Sequence, residues 1–486
     1  MLFNSYEFIF LFLPVTIIIY FILNIKTSNT LAKAWLVLAS LFFYSWWDPA
    51  YLPLILVSIL VNYLTGSALV KHKMISGSKA KAILVAGITF NLLLLGYFKY
   101  MDFFITNINL ALSAHLPLLK IVLPLGISFF TFTQIAYLVD AYHAQAKEYK
   151  LVNYALFVTF FPHLLAGPIL HHKEMMPQFE SVENKRLNYE NLARGVFLFF
   201  VGLFKKVVIA DTFAVWATHG FDTASTLSLI EAWVVSLSYT FQLYFDFSGY
   251  TDMAIGAALM FNIRLPINFD SPYKSLSIQE FWRRWHMTLS RFLRDYIYIP
   301  LGGNRQGESH TYRNLMVTFL LGGLWHGAGW TFVFWGFMHG LGLCIQRAWR
   351  KLKIAMPNWL AWFITFNFVN IAWVFFRAKT WADAIKVLKG MFGLSGIMLP
   401  GSLAPKLGFL SAYGVTFTQL SARFEGIYQA IVMIIAFLLV TLTFRNSMAM
   451  KDAFRPSWQT ALFVSVIAVW AILGLNKISP FLYFNF

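Results

Sequence analysis

Apolar segments about as long as a bilayer is thick recur from one end of this chain to the other. That recurrence limits its folding more than any single motif does. A helix needs ~20 mostly apolar residues to cross the hydrocarbon core. Segments of this kind lie near 5–24, 31–47, 51–70, 81–98, 121–141, 151–169, 193–210, 229–260, 313–330, 331–347, 357–376, 427–444 and 457–474. The chain is 59% hydrophobic and only 12% charged, against ~25% charge in soluble domains. Inside lipid every backbone polar group must find its partner within the span, which favours helices. The expected fold is therefore an all-α polytopic membrane protein with roughly 11–13 membrane helices. Some are expected to be re-entrant or interfacial, because 31–47 is short and 229–260 is long. We read 1–486 as one membrane domain, with N-terminal helices over 1–120, a core over 121–350 and C-terminal helices over 351–486.

The formal charge of +17 would suggest nucleic acid in a soluble protein. In a membrane protein Lys and Arg collect in cytoplasmic loops instead, so no nucleic-acid partner is expected. Lys26 and Lys33 follow the first span, WWDPA (46–50) has no base, and Lys71, Lys73, Lys79 and Lys81 come next. This alternation places the N-terminus outside. Basic loops also suit anionic lipid or a phosphate-bearing substrate. The start, MLFNSYEFIFLFLPV, lacks a basic n-region and reads as a retained span rather than a removed signal peptide. The lone Cys344 reads as a packed thiol.

GGLWHGAGW (322–330) sets His326 inside a membrane-grade segment. Intramembrane ionisable residues are functional candidates by default, and a hydrogen bond to a neighbouring helix is the plainer alternative. Its flanking small residues let a helix or a ligand come close. His339, thirteen residues on in GFMHGL, is a weaker candidate of the same kind.

The polar stretch 262–313 holds eight Lys/Arg and four Asp/Glu, yet is rich in aromatics. Within it SIQEFWRRWHMTLSRFLRDYIYIP reads as an amphipathic helix from about 277, with Ser277 and Glu280 as a capping box. At helical spacing Trp282, Arg283, His286 and Ser290 share one face, and Arg284, Arg291 and Arg294 another. An interfacial helix with arginines on lipid headgroups explains the bases without calling for His286. A second polar island, FQLYFDFSGYTDMAIGAALMFNIRLP (241–266), carries Asp246 and Asp252 in an apolar run. These carboxylates need partners, expected among nearby arginines; Asp246 is carried both as a structural residue and as a substrate-binding candidate.

No metal motif is present: there is no HExxH, no HxxxH and no Cys/His cluster, and His171 and His172 are adjacent. Walker A, GxGxxG and GxSxG are absent too. A buried histidine, a second histidine on a basic helix and no nucleotide loop suit general-base work on a hydroxyl. Acyl transfer from a phosphate-bearing thioester fits both features. A transporter of an acyl donor or polysaccharide precursor is the alternative; it would favour inverted repeats or paired broken helices, and neither is seen. A non-catalytic scaffold gives no reason for paired histidines.

Several segments taken in order resemble the membrane-bound O-acyltransferase family, in its bacterial polysaccharide O-acetyltransferase branch. They are MLFNSYEFIFLFLPV, NLLLLGYFKYMDFF (91–104), PLGISFFTFTQIAYLVDAYH (124–143), FFPHLLAGPILHHKEMMPQF (160–179) and GLFKKVVIAD (202–211). YFDFSGYTDM through LGGNR (244–305), LLGGLWHGAGWTFVFWGFMHG (320–340), IAWVFFRA (371–378) and terminal FLYFNF complete the set. One departure is His163 in FPHLLAGP, where relatives often carry Gln. The resemblance implies membrane helices around a tunnel-crossed core. It implies His326 as the catalytic histidine, acting as base or taking the acyl group transiently, and His286 as its functional partner. Trp325, Trp282, Arg283, Arg284, Ser290 and Asp246 are the substrate-binding candidates. It further implies acetyl-CoA as acyl-donor substrate with no permanently bound cofactor, and a polysaccharide acceptor outside. The location implied is the bacterial inner membrane, multi-pass among lipid, with a periplasmic or membrane-anchored acetyltransferase partner of SGNH-hydrolase type.

Overall fold

A computed structural model describes residues 1–73, 77–146, 148, 150–165, 167–476 and 482. The FLYFNF segment therefore lies outside the described residues, apart from Leu482. Helices form where apolar runs were read. Four of the described ones are long and apolar enough to cross a membrane: Phe8–Lys26, Pro49–Lys71, Gly77–Leu112 and Asn358–Arg377. Ile427–Thr443 and Trp458–Leu473 are shorter apolar helices. Phe10, Ile18, Leu93, Phe363 and Val432 on these elements are more than half exposed. So much outward apolar surface is foreign to a protein solvated by water and natural to one solvated by lipid. The chain is an all-helical polytopic membrane protein, with one small sheet: Ile397–Pro400 pairs in parallel with Val415–Thr418.

Two expected spans are interrupted. The 121–141 segment is helical only from Ile127, after Gly126 at φ 70°. The 151–169 segment is two short helices, Leu151–Thr159 and Phe161–Leu164. Pro162 is the reason: in a continuous helix its ring would clash with the carbonyl four residues back. His163 serves this break, its Nε2 lying 2.9 Å from the Phe157 carbonyl oxygen. The departure noted at His163 is thus a local structural bond.

The described residues gather into two compact units. One comprises Met1–Leu203, Tyr250–Asn268 and Lys451–Asn485. Polar side chains stitch its apolar helices. Asn62 and Asn91, both fully buried, exchange amide hydrogen bonds of 3.2 and 2.6 Å. Such pairs act as glue between helices that lipid does not push together. The His172–Glu180 helix is tied down at both ends. His171 Nδ1 meets Asp140 at 3.0 Å, His172 Nε2 meets Glu148 at 3.2 Å, and buried Lys33 binds Glu180. Lys33 is therefore not a free loop charge, and the charge alternation of the first spans loses one of its marks.

The other unit comprises Phe204–Gly249 and Phe269–Met450. The unbroken helix Leu229–Met260 supplies residues to both units. At 1.5 Å per residue its length is about 48 Å, more than the ~30 Å hydrocarbon core. In the second unit a π-helical turn, Lys205–Ala210, puts Lys206 between Asp211 at 3.0 Å and Asp246 at 2.6 Å. Arg377 holds Asp222 with two hydrogen bonds of 3.2 and 2.7 Å. Cys344 is half-buried, its Sγ 3.8 Å from the Tyr312 carbonyl oxygen.

Candidate active site

The candidate residues lie within the second unit on two elements, except Asp246, which is on the Leu229–Met260 helix. The first is the basic, aromatic segment. Ser277 caps it as expected, accepting from the Glu280 amide at 3.2 Å. Glu280 reaches back one residue further than a capping box would, to the Leu276 amide at 2.9 Å. The single amphipathic helix expected from 277 is in fact two, Ile278–Arg284 and Met287–Leu293. They meet at His286, whose backbone is left-handed, φ 41° and ψ 54°. A non-glycine residue there costs on the order of 1–2 kcal/mol, and such outliers gather at functional sites. The break holds because Arg284 is committed on both sides. Its carbonyl accepts from the Asp270 amide at 3.0 Å, and its guanidinium bonds the Asp270 carbonyl at 3.1 Å and Glu280 at 3.0 Å.

The break changes which side chains share a face. Trp282 and His286 turn inward; both are buried, His286 completely. Arg283 stays exposed, with no carboxylate partner among the described residues. Arg294 is paired with its neighbour Asp295 at 2.7 Å. Ser290 is half-buried and bonds the Trp285 carbonyl at 3.4 Å. Asp246 is held by buried Lys206 and is itself buried. Burying an ion pair fits structural duty for both.

The second element is a helical hairpin, Glu308–His326 and Trp330–Leu352. Its two helices touch through glycine. A Cβ on Gly323 would sit 2.3 Å from the Phe332 carbonyl oxygen, and one on Gly336 2.3 Å from that of Phe319. The small residues around His326 therefore admit a helix. They bring the end of the first helix, where His326 is the last residue, against the start of the second. Asn314 fixes the other end, donating to the Leu301 and Gly303 carbonyls at 3.1 and 2.9 Å.

His326 lies buried in an aromatic box. Its ring centroid is 4.8 Å from Trp325, 5.0 Å from Trp335 and 5.0 Å from Phe376. Trp325 also faces His286, at 6.1 Å, and Phe247 closes on His286 edge-on at 4.8 Å. The two histidines expected to work together thus flank one tryptophan. His339, the weaker candidate in sequence, lies beside Trp335. It is fully buried and accepts from Trp282 Nε1 at 3.2 Å, with Trp335 4.8 Å away. The signal was the four-residue spacing of Trp335 and His339, which puts both on one helix face. Trp373 and Phe376, from the IAWVFFRA segment, wall the same box, with Trp373 stacked on Trp335 at 5.7 Å. Among the described residues no group of three or more His, Cys, Asp and Glu is placed to hold a metal.

A buried imidazole pair in an aromatic, water-poor setting can move a proton and hold a reacting acyl group away from hydrolysis. The chain as a whole is similar to known proteins. The sequence model of the membrane-bound O-acyltransferase family matches residues 17–380, a range that includes both histidines. A peptidoglycan O-acetyltransferase of Helicobacter pylori is 48% identical over 100% of this chain and 98% of its own. A probable alginate O-acetylase of Pseudomonas putida is 38% identical over the full length of both chains. A teichoic acid D-alanyltransferase of Streptococcus thermophilus is 30% identical over 52% of this chain and 68% of its own. Family match and full-length relatives agree with the fold: the chain is an O-acyltransferase and belongs to the membrane-bound O-acyltransferase family.

Proposed function

We propose that the chain takes an acetyl group from acetyl-CoA on the cytoplasmic side of the bacterial inner membrane and passes it outward for O-acetylation of peptidoglycan. A periplasmic or membrane-anchored partner of SGNH-hydrolase type completes transfer to the polymer. The observation that carries the reading is the pair His326 and His286 on either side of Trp325, in a family of acyltransferases. The peptidoglycan acceptor rests on the 48% identity that spans both chains.

In this reading His326 is the base, or carries the acyl group for an instant. His286 orients the donor or meets the charge that develops on the thioester oxygen. Trp325 separates and aligns the two rings. Exposed Arg283 is the base free to meet donor phosphates, whereas Arg284 is engaged with Glu280 and Asp270. Trp282 and Ser290 act through the rings and backbone they hold, and Asp246 through Lys206. Acetyl-CoA enters as substrate, with no permanently bound cofactor.

The test is ester-linked acetate released by mild alkali from purified sacculi. A strain lacking the gene, complemented with wild type, recovers the acetate. Complementation with His326→Ala at equal membrane abundance does not. Acetate unchanged by the deletion in sacculi, but lost from a secreted polysaccharide, moves the acceptor. Full recovery with His326→Ala refutes the site.

A further inference from the structure

Two buried hydrogen-bond donors, one on the ring that faces His326 and one on the ring beyond it, have no acceptor among the described residues. Trp282 Nε1–H donates to His339 Nδ1, so a neutral His339 carries its proton on Nε2. That Nε2 is unpartnered and buried, and so is Nε1 of Trp335. His339 and Trp335 are 0% and 1% exposed. Their rings lie 4.8 Å apart, and the Trp335 ring is 5.0 Å from that of His326. A buried donor left unmatched costs about 1–3 kcal/mol, and most native ones find a partner. Two in adjacent rings, on one face of one helix and one of them against His326, point to a polar acceptor that is not part of the chain.

We propose that Trp335 Nε1–H and His339 Nε2–H are catalytic donors to the carbonyl oxygen of the acyl group being transferred, and that Trp282 is the positioning residue that fixes His339 in the donating tautomer. The proposal rests on the acyl-transfer reading at His326. The acceptor hydroxyl oxygen attacks the thioester carbonyl carbon and its proton passes to His326. The carbonyl π pair moves onto oxygen, which the two N–H groups hold. On collapse the C–S bond breaks, and the thiolate takes the proton back from His326. The products are one ester and one thiol.

Removing one such donor lowers kcat about 10²–10³-fold in other acyl-transfer sites. Thioester cleavage by the purified full chain, with acetyl-CoA as donor and a soluble peptidoglycan fragment as the hydroxyl acceptor, gives kcat and KM. Trp335→Phe keeps the ring and deletes the N–H; it is expected to lower kcat by about that factor with KM nearly unchanged. His339→Leu is expected to do the same. His339→Gln, which keeps an N–H, recovers part of the loss. Trp282→Phe lowers kcat less and leaves KM alone. Each variant is checked for an unchanged melting profile, and the His339→Gln against His339→Leu comparison stands if Trp335→Phe does not fold. Wild-type kcat in Trp335→Phe and His339→Leu, with His326→Ala inactive, overturns the proposal and leaves the reading intact. Activity in His326→Ala overturns the reading itself.

Discussion

Replacing Gly323 by alanine separates packing from helix propensity within one residue. The new Cβ would lie 2.3 Å from the Phe332 carbonyl oxygen and 3.1 Å from the Gly336 Cα. Real Cβ atoms do not come closer than 3.0 Å, so the helices must part by at least about 0.7 Å. Both obstacles are backbone, and neither can rotate away. Overpacking of this kind costs typically 1–3 kcal/mol, and we place it at the top of that range, ~3 kcal/mol. Alanine returns ~1 kcal/mol as the better helix former, leaving a net loss of about 2 kcal/mol. The displacement falls one turn before His326, and misplacement by ~1 Å can cost 10²-fold in rate. Gly322→Ala is the internal control, since its Cβ meets only the flexible Leu293 Cδ1 at 3.3 Å. Thermal unfolding in detergent and CoA release from acetyl-CoA are measured on both variants. Gly323→Ala should melt lower and release CoA at least tenfold more slowly, with Gly322→Ala close to wild type. Equal behaviour of the two variants would refute the packing argument.

Three further outcomes follow from other contacts. Lys206→Met should destabilise by roughly 3–5 kcal/mol, as for one broken buried pair, and Asp246→Leu by less, because Asp211 still holds Lys206, while the double variant melts closer to wild type than Lys206→Met; additive losses in the unfolding midpoint would contradict this. Arg283→Ala should raise KM for acetyl-CoA without changing the melting profile, and Arg284→Ala should lower the melting midpoint because it frees the break at His286; the reverse assignment would show the two roles exchanged. Burial alone would raise the Glu148 carboxyl, but His172, the Lys150 amide and Asn153 hold it below the ordinary 4.5. A depressed carboxylate stabilises the fold above its unfolded pKa, so that contribution is full above about pH 4.5 and fades as pH falls through the lower folded value. Glu148→Gln should flatten the acid limb of the stability profile, and an unchanged limb would remove Glu148 from the account.

The apolar periodicity made the helices legible. Leu229–Met260 and Asn358–Arg377 begin and end within a residue or two of the segments read for them. What it missed depends on contacts far apart in sequence. Pro162 divides a span that hydropathy alone runs through. The left-handed His286 is invisible to helical spacing, which placed Arg283 and His286 on one face; the bonds between Arg284 and Asp270 create the break. Asp246 also meets Lys206, forty residues earlier in a π-helical turn, a partner that local sequence does not announce. The glycines near His326 read as room for a helix or a ligand, and only the hairpin shows that a helix fills it. His339 looked weaker than His326 because nothing local announces Trp282, 57 residues away.

The central claim is that thioester chemistry takes place at His326. Its most direct measurement is CoA release from acetyl-CoA by the purified protein, wild type beside His326→Ala, both with the same melting profile. Release by wild type that is lost in the variant is the predicted result. Release at the wild-type rate by His326→Ala would contradict it.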